Sequence, residues 1–148
     1  MTSHRAPLTG ENVGVSLVDG DSGIRHARQL MLRSEKYEVR SYPTCAALLA
    51  DPRSRDYPCI VVDVEMQEVD GLALLRQMRA SGWHGNAILL DGLDADGELA
   101  REAEQTGDDV FDRHIGDRSL VAAIAASVLR GRSNWAAHGA SVSTTPTA

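Results

Sequence analysis

Residues 59–75 read CIVVDVEMQEVDGLALL. Cys59 to Val62 is apolar without alternation, the pattern of a central strand covered by helices on both faces. The run closes on Asp63, and Asp70-Gly71 then opens a stretch in which Leu72, Leu75 and Met78 share one helical face. A buried strand that ends in a carboxylate, turns and enters a helix is one unit of a parallel α/β sheet.

Further units lie on either side. VGVSLV (13–18), YEVRSY (37–42), AILLD (87–91) and DVF (109–111) read as four more strands, with 59–64 as the third in chain order. Between them, Ile24, Ala27, Leu30 and Met31 form a helical stripe after a Ser22 cap. Leu120, Val121, Ile124 and Val128 form another after an Asp117 cap, and shorter helices fit Cys45–Ala50 and Asp96–Gln105. The expected fold is a doubly wound, flavodoxin-like α/β domain: five parallel strands with helices on both faces, joined by right-handed crossovers. The domain is placed at 13–131. Residues 1–12 show no periodicity and residues 132–148 have almost nothing to bury, so they are expected to be a flexible leading segment and a flexible tail.

Composition narrows the function. The 148 residues are 43% hydrophobic and 24% charged, which fits one globular domain and neither a membrane span nor a disordered chain. With two Trp, three Tyr and one Phe, the core must be aliphatic, and stacking platforms for single-stranded nucleic acid are not expected. A formal charge of −6 argues against nucleic-acid and anionic-membrane partners. Cys45 and Cys59, without a secretory pattern in residues 1–10, read as reduced thiols of a cytoplasmic protein. The histidines have no metal-ligand spacing, and Gly20-Asp21-Ser22-Gly23 lacks a phosphate-loop pattern. Trp83 is expected to be a half-buried loop residue.

In a doubly wound sheet, ligands sit beyond the carboxyl ends of the strands. Those ends carry Asp19 and Asp21, then Asp63, then Asp91 with Gly92, and finally His114 just past the last strand. Asp19, Asp63 and Asp91 are expected to converge on one pocket with His114 as its base. Carboxylates so placed raise one another's pKa and titrate as a coupled set.

The order of these parts resembles the receiver domain of bacterial two-component response regulators. LVDGD (17–21), IVVDVEM followed by DG (60–71), LLDG (89–92) and Phe111 carry the resemblance, which covers residues 13–130. It implies that Asp63 is the phosphoacceptor, that Met66 and Gly71 fill family positions, and that Phe111 is the switch aromatic or a core residue. It also implies a Mg²⁺ site, here weakened to Asp19, Asp21 and Asp63, because the second acidic position is Gly20. The strand-four hydroxyl falls on Asp91 or Gly92, the strand-five lysine on His114, and the following proline on Ile115. The single lysine, Lys36, lies in an early turn, and Arg113 is expected on the strand face opposite His114.

The resemblance therefore implies an atypical, stand-alone receiver. It would act in two-component signalling through protein–protein interaction and without standard phosphorylation, and it would not be an enzyme. The alternative is a working phospho-receiver that takes a phosphoryl group from a histidine kinase onto Asp63. The expected partner is a protein, a histidine kinase or another regulator, or a second copy in a homodimer; nucleic acid and membrane are not expected. Beyond Mg²⁺ at the weakened site, no cofactor is expected.

Overall fold

The computed structural model describes residues 13–64, 71–92 and 98–143, with side chains in the last stretch from 100 to 131. Its elements are β1 (Val13–Val18), α1 (Ser22–Ser34), β2 (Tyr37–Tyr42), α2 (Cys45–Ala50), β3 (Cys59–Asp63), α3 (Gly71–Ala80), β4 (Asn86–Asp91), α4 (Glu98–Gln105), β5 (Asp109–Asp112) and α5 (Asp117–Ser143). The strands pair in the order β2-β1-β3-β4-β5, all parallel, in a five-stranded sheet. This is the doubly wound, flavodoxin-like α/β architecture expected from the strand and helix pattern.

Alternation along the central strands builds two cores. Val13, Val15, Leu17, Cys59, Val61, Ile88 and Leu90 face α1 and α5, where Leu32, Leu120 and Ile124 close over them. Val18, Ile60, Val62, Ala87 and Leu89 face the other way, under Leu48, Leu74, Leu75 and Met78. Gly71 lets α3 settle on that second face, because a Cβ there would lie 2.8 Å from Val64 Cγ1 and 3.0 Å from Leu89 Cδ2.

Several boundaries differ from the sequence reading. The α1 cap is Asp21, whose carboxylate accepts from Ile24 N at 3.0 Å, rather than Ser22. The inward face of α1 is also rotated: Leu32 is its buried residue, Ala27 is exposed, and Leu30 is 53% exposed. A short 3₁₀ turn at Pro52–Asp56, capped by Asp51, was not foreseen. Trp83 is buried, not half-buried; its Nε1 donates to the Tyr57 carbonyl at 2.7 Å and the Arg79 guanidinium lies over its ring. Helix α5 runs on to Ser143, past residue 131 where the domain and a flexible tail were divided. No proline falls between Asp117 and Ser143, so nothing in that stretch forces the helix to stop. Residues 1–12, Met66, Asp70, the Asp96 start of the fourth helix and the residues after 143 lie outside the described residues. Among the described residues, no helix is long and apolar enough to cross a membrane.

Candidate functional site

The alternation that builds the core also aims the site. Val15 and Leu17 precede Asp19, and Cys59 and Val61 precede Asp63, so both carboxylates continue the face that packs on α1 and α5. Both are nearly sealed, each 1% exposed. A buried carboxylate pair needs cations, and the chain supplies two guanidinium groups.

Arg28, on the inward face of α1, places Nη1 3.0 Å from Asp19 Oδ2 and 3.7 Å from Asp63 Oδ2. Its Nη2 donates to the Arg113 carbonyl at 2.8 Å. Arg113, just past β5, returns its own Nη2 to Asp63 Oδ2 at 3.1 Å. Arg25, one turn earlier on α1, donates to the Asp19 carbonyl at 2.8 Å, and Asp21 N–H donates to Asp19 Oδ1 at 2.9 Å. Two carboxylates and two guanidinium groups thus make a cluster that is neutral when all four are charged. Burial raises the Asp19 carboxyl above its ordinary value. The Asp21 N–H opposes that rise, the Asp63 charge adds to it and Arg28 opposes it.

Asp19 and Asp63 come together as expected; the other site residues fall elsewhere. His114 is exposed, whereas Asp19 and Asp63 are sealed, and its backbone N–H donates to Asp112 Oδ1 at 2.8 Å, so the structure does not bury it with that pair as the sequence reading expects. Phe111 packs against the core beneath α1 and α5, and alternation carries that direction to Arg113 while turning His114 away. Arg113 was expected on the face opposite His114. It lies there, and that face is the pocket side. Asp91 follows Ala87 and Leu89, so alternation puts it on the α3 face, opposite Asp63; its carbonyl accepts from Arg113 N at 3.0 Å. Asp21 caps α1 and is not oriented as a third ligand.

These residues do not fit a divalent cation. Between Asp19 and Asp63 stands the Arg28 guanidinium, Asp21 is committed to the helix start, and the adjacent position is Gly20. Hard cations take several oxygens, and among the described residues no group of three or more His, Cys, Asp or Glu is arranged to hold a metal. Sequence reasoning missed Arg28 because the α1 stripe was read one position off. Placing Leu32 inward puts Arg28 one turn before it and Arg25 one turn earlier still. A separate cavity of about 720 Å³, beside Tyr57, Pro58, Trp83 and Gly131, lies at the amino-terminal end of β3 and β4, the opposite end from Asp63.

Comparison with known proteins agrees with this architecture. The response regulator receiver domain family matches residues 15–125. The transcriptional regulatory protein FixJ of Azorhizobium caulinodans is 34% identical over 121 residues, covering 81% of this chain and 57% of that protein. The transcriptional regulatory protein TdiR of Thauera aromatica is 26% identical over 129 residues, covering 86% and 56%. Among solved structures, full-length FixJ from B. japonicum superposes with a TM-score of 0.71 at 25% identity, over 82% of this chain and 60% of that one. The receiver domain of Francisella response regulator 1452 superposes with a TM-score of 0.70 at 22% identity, over 80% and 98%. The chain spans somewhat more than half the length of the curated relatives it matches.

Proposed function

Since the chain belongs to the response regulator receiver domain family of two-component signalling, we propose that it is an atypical receiver, one that regulates a protein partner by docking and does so without Mg²⁺-dependent phosphorylation. Arg28 carries this reading. Its guanidinium lies 3.0 Å from Asp19 and 3.7 Å from Asp63, where phosphoryl transfer to an aspartate needs a divalent cation. An arginine in that position supplies the positive charge between the carboxylates, and its terminal nitrogens already face Asp19, Asp63 and the Arg113 carbonyl rather than an incoming phosphoryl group. Neither Asp91 nor Gly92 supplies a hydroxyl to follow a phosphoryl group.

A second reading rests on a different residue. Arg113 Nη2, 3.1 Å from Asp63 Oδ2, is within reach of a phosphoryl group on that oxygen and carries the donors that the lysine position, His114, does not bring inward. On that reading Asp63 accepts a phosphoryl group from a histidine kinase. Intact-protein mass after incubation with a small phosphodonor, with and without Mg²⁺ and with Asp63→Asn as control, separates the two. The first reading expects no phosphate-sized gain in folded protein. A gain that requires both Asp63 and Mg²⁺ overturns it in favour of the second.

A further inference from the structure

The Arg28 guanidinium has two ends, and they serve different parts of the fold. Nη1 faces the acid pocket, at Asp19 and Asp63; Nη2 holds the carbonyl of Arg113 in the turn between β5 and α5. Arg113 sends its side chain back to Asp63. The contacts therefore close a loop from Asp63 through Arg28 to the Arg113 backbone and back through the Arg113 side chain. Outside the pocket, Arg28 and Arg113 line a cleft of about 320 Å³ together with Ile24, Ala27, His114 and Ile115.

A signal leaving Asp63 through β4 would need a group at the end of that strand that answers a change at Asp63. Alternation puts Asp91 on the other face of the sheet, and Gly92 has no side chain. The α1 side has a direct polar contact to Asp63, through the Arg28 guanidinium at 3.7 Å. We infer that Arg28 is a positioning residue that couples the charge on Asp63 to the turn between β5 and α5, so that the surface that responds is the cleft between α1 and that turn. Removing the Asp63 charge takes one carboxylate from both guanidinium groups. Arg28 is then drawn wholly toward Asp19, and Arg113 loses its Asp63 anchor. Both shifts act on the Arg113 carbonyl, the atom that Arg28 holds at 2.8 Å. The biological use of this coupling rests on Asp63 being the signalling carboxylate; the coupling itself needs only the contacts, and its test involves no phosphorylation.

Hydrogen exchange on the full chain tests it, comparing the wild type, Asp63→Asn, Arg28→Met and the double variant. The amides read are those of Arg113, His114 and Ile115, which bond to Asp91 O, Asp112 Oδ1 and Asp112 O. In the Arg28 background, Asp63→Asn should speed their exchange about tenfold, the loss of one charge-assisted contact. In the Arg28→Met background the same change should have an effect of about threefold or less. Arg28→Lys should uncouple as Met does, because a compact ammonium cannot span both ends of the planar fork. The amides of β1 and β3 serve as the folding control in each variant. Equal acceleration in both backgrounds, no acceleration in the Arg28 background, or a response confined to the end of β4 would overturn the assignment. A failure here leaves the docking reading standing, and a phosphate gain on Asp63 leaves this coupling standing.

Discussion

Replacing Arg28 with Met keeps much of the stem and removes the cation. Three contacts go: the 3.0 Å bond to Asp19, the 3.7 Å pairing with Asp63 and the 2.8 Å bond to the Arg113 carbonyl. Breaking a buried ion pair costs about 3–5 kcal/mol when nothing else holds the orphaned charge. Here Arg28 is 12% exposed, Asp63 keeps Arg113 and Asp19 keeps the Asp21 N–H, so the expected loss is about 2 kcal/mol. The variant also opens the space between the two carboxylates to a metal. Mg²⁺ at about ten times its Kd should restore about 1.4 kcal/mol by binding the folded state alone. Urea unfolding followed by circular dichroism, with and without Mg²⁺, reads both numbers. The wild-type midpoint should not move with Mg²⁺, and the Arg28→Met midpoint should fall and then partly recover. Equal Mg²⁺ stabilisation of the two proteins would refute the idea that the guanidinium holds the cation position.

Three further outcomes are expected. Because burial raises the Asp19 carboxyl above 3.8, the folded state binds more protons there than the unfolded chain, so this residue lowers stability as pH rises from 3.8 through its raised pKa. Asp19→Asn should remove that part of the slope in unfolding measured across acidic pH. Cys59 is fully buried with its thiol pushed up to about 12 by desolvation, so a thiol reagent should modify half-buried Cys45 in the native protein and Cys59 only at the rate of unfolding. Asp108 accepts from both Arg79 terminal nitrogens, from Ala87 N and from Thr106 Oγ1, and Asp108→Ala should cost about 3 kcal/mol in the same urea assay.

The three central strands were legible because each is largely a local apolar run, and β3 in particular could not be satisfied except between two helical layers. The cores followed from period-two alternation, and that rule also held the answer to the site. Counting from Cys59 and Val61 puts Asp63 beneath α1, and counting from Phe111 puts Arg113 beside it and His114 outside. Alignment by family position pointed to His114 instead, since it tracks sequence order and not the parity of the strand. Arg28 was harder to see. Its helix offers two overlapping apolar stripes, through Leu30 or through Leu32, and the hydrophobic pattern favours the first. The two buried carboxylates select the second, because only that rotation brings Arg28 to Asp19 and Asp63. Such a choice depends on contacts between residues far apart in the chain, which periodicity along a single helix does not encode. Asp91, in contrast, was open to the parity rule: its place at the end of β4 suggested convergence, while counting from Ala87 and Leu89 sends it to the other face.

The most direct test of an arginine-held pocket is an amide-resolved NMR titration of the full chain with Mg²⁺, then with Mg²⁺ and beryllofluoride as a phosphoryl mimic. No saturable shifts are expected at Asp19, Asp63 or Arg113 in the wild type, and saturable Mg²⁺ shifts are expected at Asp19 and Asp63 once Arg28 is Met. Saturable shifts at those residues in the wild type, strengthened by beryllofluoride, would contradict it.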